Sequence, residues 1–367
     1  MPVQWTTFPM EFKGGLISNL TPLQQGTNAI GSATILQNFE SDREGGYSKL
    51  KGYSKFSTTE VPGTGEVLAM KVVSSGRAVV ARKVNAAAIA AYGTLASGDL
   101  NKTAYYHGTG TTWAHIGTSS STNTLKARFA DFNFTQEDKT IFVDSKSFPV
   151  IYNASGNGFT ALTASNSSDV QGAENVVVFK NHAFYSKGSK IFFTVPNTVD
   201  NFATGSGAGT INVGFDVTGM VGFRDQLIIF TTDTIKKLVG NTSSDFRLEP
   251  ITDRIGCINP DSIQEFGGDI AYLSPDGIRL LSATDRIGDL ALDIASDPIY
   301  KDANDFIAQT DTFCSVLVRG KSQYRLFAYI PSVQAASAAG LIATKFIAQG
   351  GTGIAWSTTK GLKVNVA

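Results

Sequence analysis

Residues 211–300 read INVGFDVTGMVGFRDQLIIFTTDTIKKLVGNTSSDFRLEPITDRIGCINPDSIQEFGGDIAYLSPDGIRLLSATDRIGDLALDIASDPIY, and two short apolar hairpins stand in them. The first runs through residues 224–230, a polar turn, then 234–238. The second runs through 268–273, the turn Ser274-Pro275-Asp276-Gly277, then 278–281. β-Branched and aromatic residues favour a pleated surface, and Asp-Gly supplies the unusual dihedrals of a hairpin turn, so both read as strand, tight turn, strand. They lie about 43 residues apart, and a period of roughly 40 to 50 residues with about four strands per unit is how a β-propeller blade looks in sequence.

Working outward, Phe179-Lys180-Asn181-His182-Ala183-Phe184-Tyr185 matches Phe223-Arg224-Asp225-Gln226-Leu227-Ile228-Ile229 about 44 residues on: an aromatic, a polar turn, then an apolar strand. Further units follow. A first repeat takes residues 67–73, 78–84, 87–92 and 103–107, with the Ala-rich piece 85–91 read as strand because β patterns flank it. The second takes 125–132, 140–144 and 149–153, and the third 174–179, 180–185 and 190–195. The hairpins quoted above belong to the fourth and fifth. The sixth takes 313–319, 324–329, 343–347 and 353–357, with a small-residue loop at 332–340, while 289–300 reads as a short helix or an irregular link. The expected fold is all-β and β-propeller-like, with about six blades and an N-terminal arm. Residues 1–60 do not read as a blade; strands expected at 34–39 and 47–56 would complete one begun at the other end of the chain, removing an exposed edge. The expected division is 1–60, arm and ring-closing strands, and 61–367, propeller domain.

Composition agrees with this class. Of 367 residues 42% are hydrophobic and 17% charged, enough for a large core under a weakly charged surface. The 37 glycines and 11 prolines are spread along the chain in place of helix-forming runs. Lys plus Arg equals Asp plus Glu at 31 each, which gives no basis for tight, salt-dependent binding to a nucleic-acid backbone. Cys257 and Cys314 lack metal or redox spacing and read as buried free thiols. MPVQWTTFPMEFKGG has no secretory pattern, and the longest apolar run, 86–92, is far short of the roughly 20 residues that cross a bilayer. A soluble protein made in a cytoplasm, without membrane contact, is expected.

Chemistry-bearing patterns are sparse. His107, His115 and His182 have no partner spacing of the HExxH kind and read as surface or packing residues. Asp131, Glu137, Asp138 and Asp144 cluster along the second repeat as solvated turn residues. Ser274-Pro275-Asp276-Gly277 is similar to the aspartate turn of sialidase-type propellers, but Leu281 stands near the place of the usual aromatic, so a plain hairpin turn is expected. Gly205-Ser206-Gly207-Ala208-Gly209 lacks the Lys-Ser or Lys-Thr of a phosphate loop and reads as flexible. Basic and aromatic residues alternate in 47–56, compatible with single-strand stacking, though an amphipathic strand with packed aromatics is the plainer reading. Arg254, Arg279 and Arg286 either line one face or pair with Asp253, Asp285 and Asp289. No catalytic, cofactor-binding or metal residue is assigned, and the chain is read as not an enzyme.

Asn38-Phe39, Gly45-Gly46 and Gly52-Tyr53, then the run from Gly222 to Thr231, Ile255-Gly256-Cys257-Ile258, Asp261-Ser262-Ile263 and the run from Gly268 to Ile278 together resemble bacteriophage tail nozzle proteins, which include the packaged-DNA stabilisation proteins of short-tailed phages. The likeness covers residues 211–290 and the arm at 30–56. It implies a β-propeller virion subunit, a homo-oligomer in a sixfold ring beneath portal and adaptor proteins, that extends the DNA channel, touches passing DNA transiently and helps retain or deliver the genome. The chain is short for such a protein. A glycan-recognising propeller on the tail or neck surface is the alternative, resting on the Ser274–Gly277 turn and on Trp5, Trp113 and Trp356 as sugar platforms.

Overall fold

A computed structural model describes residues 12–29, 31–43, 45–122, 125–134, 138–155, 158–282, 294–310, 312–330, 337–348 and 351–366. They form six antiparallel meanders, here called blades 1 to 6, and the fold is all-β and propeller-like. Blade 1 comprises Val67–Val72, Ala78–Lys83, Lys102–Gly108 and Trp113–Thr122. Blade 2 comprises Arg128–Phe132, Lys139–Val143, Val150–Asn153 and Gly158–Ala161. Blade 3 comprises Asn175–Phe179, His182–Lys187, Lys190–Phe193 and Gly209–Asn212. Blade 4 comprises Val217–Phe223, Gln226–Thr231, Ile235–Val239 and Arg247–Thr252. Blade 5 has, among the described residues, the three strands Gln264–Phe266, Asp269–Ser274 and Gly277–Leu280, and blade 6 has Phe313–Val318, Gln323–Ala328, Ala339–Ala348 and Gly351–Lys360.

The two hairpins that suggest the repeat are the second and third strands of blades 4 and 5. The second strands of blades 2 and 3 carry apolar residues at their centres, where both faces are covered. Alternate residues then divide between neighbours: Phe142 joins Val79, Ala81 and Tyr105 of blade 1, whereas Ile141 and Val143 join Ala183 and Tyr185 of blade 3. One blade further on, Phe184 packs with Leu227 and Ile229 of blade 4. Neighbouring first strands are tied as well, by Ala127 N donating to Leu68 O and by the ion pair of Lys71 with Asp131 at 2.7 Å.

The Phe-centred match at 44 residues is a shared turn. Lys180-Asn181 and Arg224-Asp225 both lie at positive φ between the first and second strands, and Gly267-Gly268 repeats this in blade 5. Two left-handed residues in succession define the hairpin turn that matches strand twist. The Ala-rich piece of blade 1 is a helix, Ala86–Ala91, and not the strand expected. Asn85 Oδ1 caps it by accepting from Ala88 N at 3.0 Å, and alanine has the highest helix propensity. The third strand of that blade is Lys102–Gly108 and the fourth, Trp113–Thr122, replaces the missing one. In the 289–300 link, the described part gives the short turn Asp297–Ile299 and runs into the helix Tyr300–Ile307.

The chain forms two compact units. One gathers the N-terminal residues up to Gly52 with Asp261–Val364; the other gathers Tyr53–Pro260 with residues 365–367. The N-terminal segment packs on blade 6 within the first unit. Blade 6 has its own four strands, so the segment adds to a blade and does not complete one.

Gly268 sits at φ +83° with open space where a Cβ would fall. Gly268→Val is expected to cost about 1–2 kcal/mol in urea denaturation, the left-handed penalty of a side chain. Gly268→Asn, which matches Asn181 in blade 3, is expected to cost less than half of that.

Candidate functional site

The N-terminal segment is built to dock. Its helix, Pro22–Asn28, starts at Thr21, whose hydroxyl and backbone form a capping box with Gln24. Gly15 lies against blade 6 so closely that a Cβ would stand 2.6 Å from Trp356 N, so only glycine fits. Leu16 and Leu36 enter the core with Trp356, Leu273 and Ile299. From Leu36 to Asn38 the chain pairs in parallel with the outer strand: Asn38 N donates to Thr358 O at 2.8 Å and Thr358 N to Leu36 O at 3.0 Å. Asn38, at φ 60°, then turns the chain and accepts from Lys360 N at 2.8 Å.

The hairpin that follows pairs Phe39–Ser41 with Tyr47–Lys49 and carries Glu40 into blade 6. Its carboxylate, 2% exposed, accepts from Arg325 Nη2 at 2.8 Å and from Lys321 Nζ. Arg325 is itself buried and also donates to Gln323 Oε1, from Nε at 3.1 Å and Nη2 at 2.6 Å. Removing one member of such a pair strands the other charge in a poorly solvated place. Above the pair, a cleft of about 350 Å³ opens between the hairpin turn and blade 6, lined by Ser41, Asp42, Arg43, Gly45, Gly320 and Lys321.

Residues singled out in the sequence stand apart from this place. His182 is buried among Phe184, Phe193 and Phe246, with Nδ1 bonded to Thr194 O. His107 Nδ1 meets Tyr152 OH at 3.0 Å, and His115 meets Thr94 and Thr118 hydroxyls; burial pushes both imidazoles down. No group of metal-ligating side chains occurs among the described residues. Asp131 serves Lys71 and Thr140, Asp138 is exposed, and Asp144, 2% exposed, accepts from Lys146 N and Ser147 N. The three do not converge.

Asp276 is held by Arg279, whose Nε donates at 3.0 Å and whose side chain is 2% exposed. Arg279 thus pairs within its own turn. Trp356 is buried and donates to Ala295 O, and half-buried Trp113 donates to Thr59 O, so Trp356 is no sugar platform. The 205–209 stretch is an ordered turn into a strand, not a flexible loop: a Cβ at Gly209 would stand 2.6 Å from Phe193. Cys257 and Cys314 are buried free thiols. In 47–56 only Tyr47–Lys49 is strand. Past Gly52 no strand forms, and Tyr53 and Phe56 are exposed. Trp5, Glu137, Asp285, Arg286 and Asp289 lie outside the described residues.

No family model and no curated protein matches the chain. Among solved structures it is similar to the extracellular domain of the hybrid two-component system BT3049 from B. thetaiotaomicron, with 10% identity, 80% of this chain and 35% of that one covered, and a TM-score of 0.44. The matching domain of BT4673 from the same organism gives 11%, 74%, 33% and 0.39. YCF48 from Cyanidioschyzon merolae gives 13%, 64%, 72% and 0.38. The chain spans about a third of the length of the first two.

Glu40→Gln is expected to destabilise the protein by about 3–5 kcal/mol, the cost of orphaning a buried charge. Hydrogen exchange should rise first at residues 36–41 and 358, and an unchanged exchange pattern there would refute the lock. In the other unit, burial and the nearby Asp216 charge push the Glu174 carboxyl up, against the pull of Arg128. A carboxyl raised in the folded state weakens the fold once ionised, so stability falls as pH rises through that raised value. Glu174→Gln should therefore raise the Tm at pH 7, with the gain fading as pH drops toward the ordinary Glu value.

Proposed function

We propose that the chain is a non-enzymatic structural subunit of a bacteriophage tail, of nozzle or hub type, that works by assembly in the virion. It forms a homo-oligomeric ring, docks to portal, adaptor or other tail proteins, and lets DNA pass with transient contact. The observation that carries the reading is where the resembling residues fall in the fold. Asn38 and Gly45-Gly46 shape the docked hairpin at positive φ, and Arg224-Asp225 and Gly268 stand in the repeated turns. The resemblance therefore rests on the residues that set blade geometry and anchor the N-terminal segment.

Charge placement supports the same reading. Cations near the first strands are matched in place, Lys71 with Asp131 and Lys180 with Asp225, which leaves little unpaired charge there to hold a sliding polyanion. Glycan recognition loses support, since Asp276 is engaged by Arg279 and Trp356 lies in the core.

Cryo-electron microscopy of the particle that contains this chain tests the proposal. A ring of copies coaxial with the tail channel is expected. Single copies attached to the outside would overturn the nozzle reading and move the role to decoration or host contact.

A further inference from the structure

The residues from Lys51 to Phe56 form the longest unbroken run of exposed positions among the described residues, and no helix or strand forms in them. Backbone bonds fix the chain on either side: Leu50 N donates to Asn38 O at 2.9 Å, and Thr58 N to Gly110 O at 3.2 Å. Lys51 and Lys55 both stand in the run, with Gly52 between them. The chain also passes here from the first compact unit to the second, at Gly52 and Tyr53.

An endoprotease must draw several residues into an extended form before it can cut, so it acts first on exposed chain without regular structure. Other lysines have a different setting. Lys71, Lys83, Lys139, Lys190, Lys236 and Lys345 lie in paired strands, where cleavage waits for local opening. The arm on the N-terminal side of the run, for its part, is held on blade 6 without help from this tether. Leu16 and Leu36 share the core with Trp356, residues 36–38 bond to Thr358, and Glu40 pairs with Arg325.

We propose that the Lys51–Phe56 stretch is a processing site for an endoprotease that cleaves after lysine, and that the product is a two-chain protein with its arm still seated. Water adds across the peptide bond that follows Lys51 or Lys55; the lysine gains a carboxylate, and Gly52 or Phe56 becomes a free ammonium. No other bond changes. The cut turns a tethered cover of the blade 6 edge into a separable one, because the tether no longer keeps the arm at high effective concentration. Nothing in this depends on the tail assignment.

Limited digestion of the full chain with a lysine-specific endoprotease, followed by mass spectrometry and native gel filtration, tests it. Every lysine of the chain lies among the described residues, so the first cut can be placed on the structure. A first cut after Lys51 or Lys55 is expected, with the short fragment co-eluting with the long one. Lys51→Gln combined with Lys55→Gln should slow the first cut by about tenfold or more, since the remaining sites need local opening. In the nicked protein Glu40→Gln should release the short fragment, and Leu36→Ala should release it without touching the charge pair. No cut, a first cut elsewhere, or a short fragment that leaves the nicked wild-type protein overturns the proposal.

Discussion

A meander sheet with two apolar faces must be covered on both of them, and that constraint organises the described blades. The second strand of each blade carries it most strictly. At residues 227–230 every side chain is at most 1% exposed, and Leu227 and Ile229 are covered by Phe184 and Phe193 of blade 3. Blades 1 to 4 stack in series, and in blades 2 and 3 odd and even residues of the second strand serve different neighbours. At 25 cal/mol per Å², each large side chain so placed contributes about 1.5–3 kcal/mol, which makes the interfaces between blades, and not the hydrogen bonds within them, the main source of cohesion.

Edges impose the second constraint. Arg247–Thr252, the outer strand of blade 4, carries Pro250 among charged residues, which blunts pairing with foreign strands. Blade 6 is treated differently. Its long outer strand is covered by the protein's own N-terminal segment through a parallel bridge, a steric fit at Gly15 and the buried Glu40 pair. A charged contact in that place adds specificity more than strength, since any slip of one residue along the strand would direct Glu40 away from Arg325.

How legible this was depended on what each residue touches. Second strands such as 141–143 and 227–230 stood out because cover on both faces demands unbroken apolar runs. Fourth strands such as Trp113–Thr122 did not, because one face meets water and the residues Ser119, Ser120 and Ser121 read as loop. The Ala-rich helix was masked by its β flanks, although Asn85 marks its start. Glu40 was invisible as a site residue, since its partner lies 285 positions away and no local pattern announces a buried carboxylate. The cleft shares that fate: it is formed by two turns from opposite ends of the chain, each unremarkable alone.

That separation also sets an order of events during synthesis. At roughly 5–20 residues per second, the segment that carries Glu40 leaves the ribosome about 15 to 60 s before Arg325 does. Until then its apolar Leu16 and Leu36 and its lone carboxylate have nowhere to go. Only a chain elongated through residue 360 gives them a seat, so a prematurely terminated copy displays a sticky, unmated arm. The docking of the arm is therefore a late event, one that waits for both ends of the chain to exist.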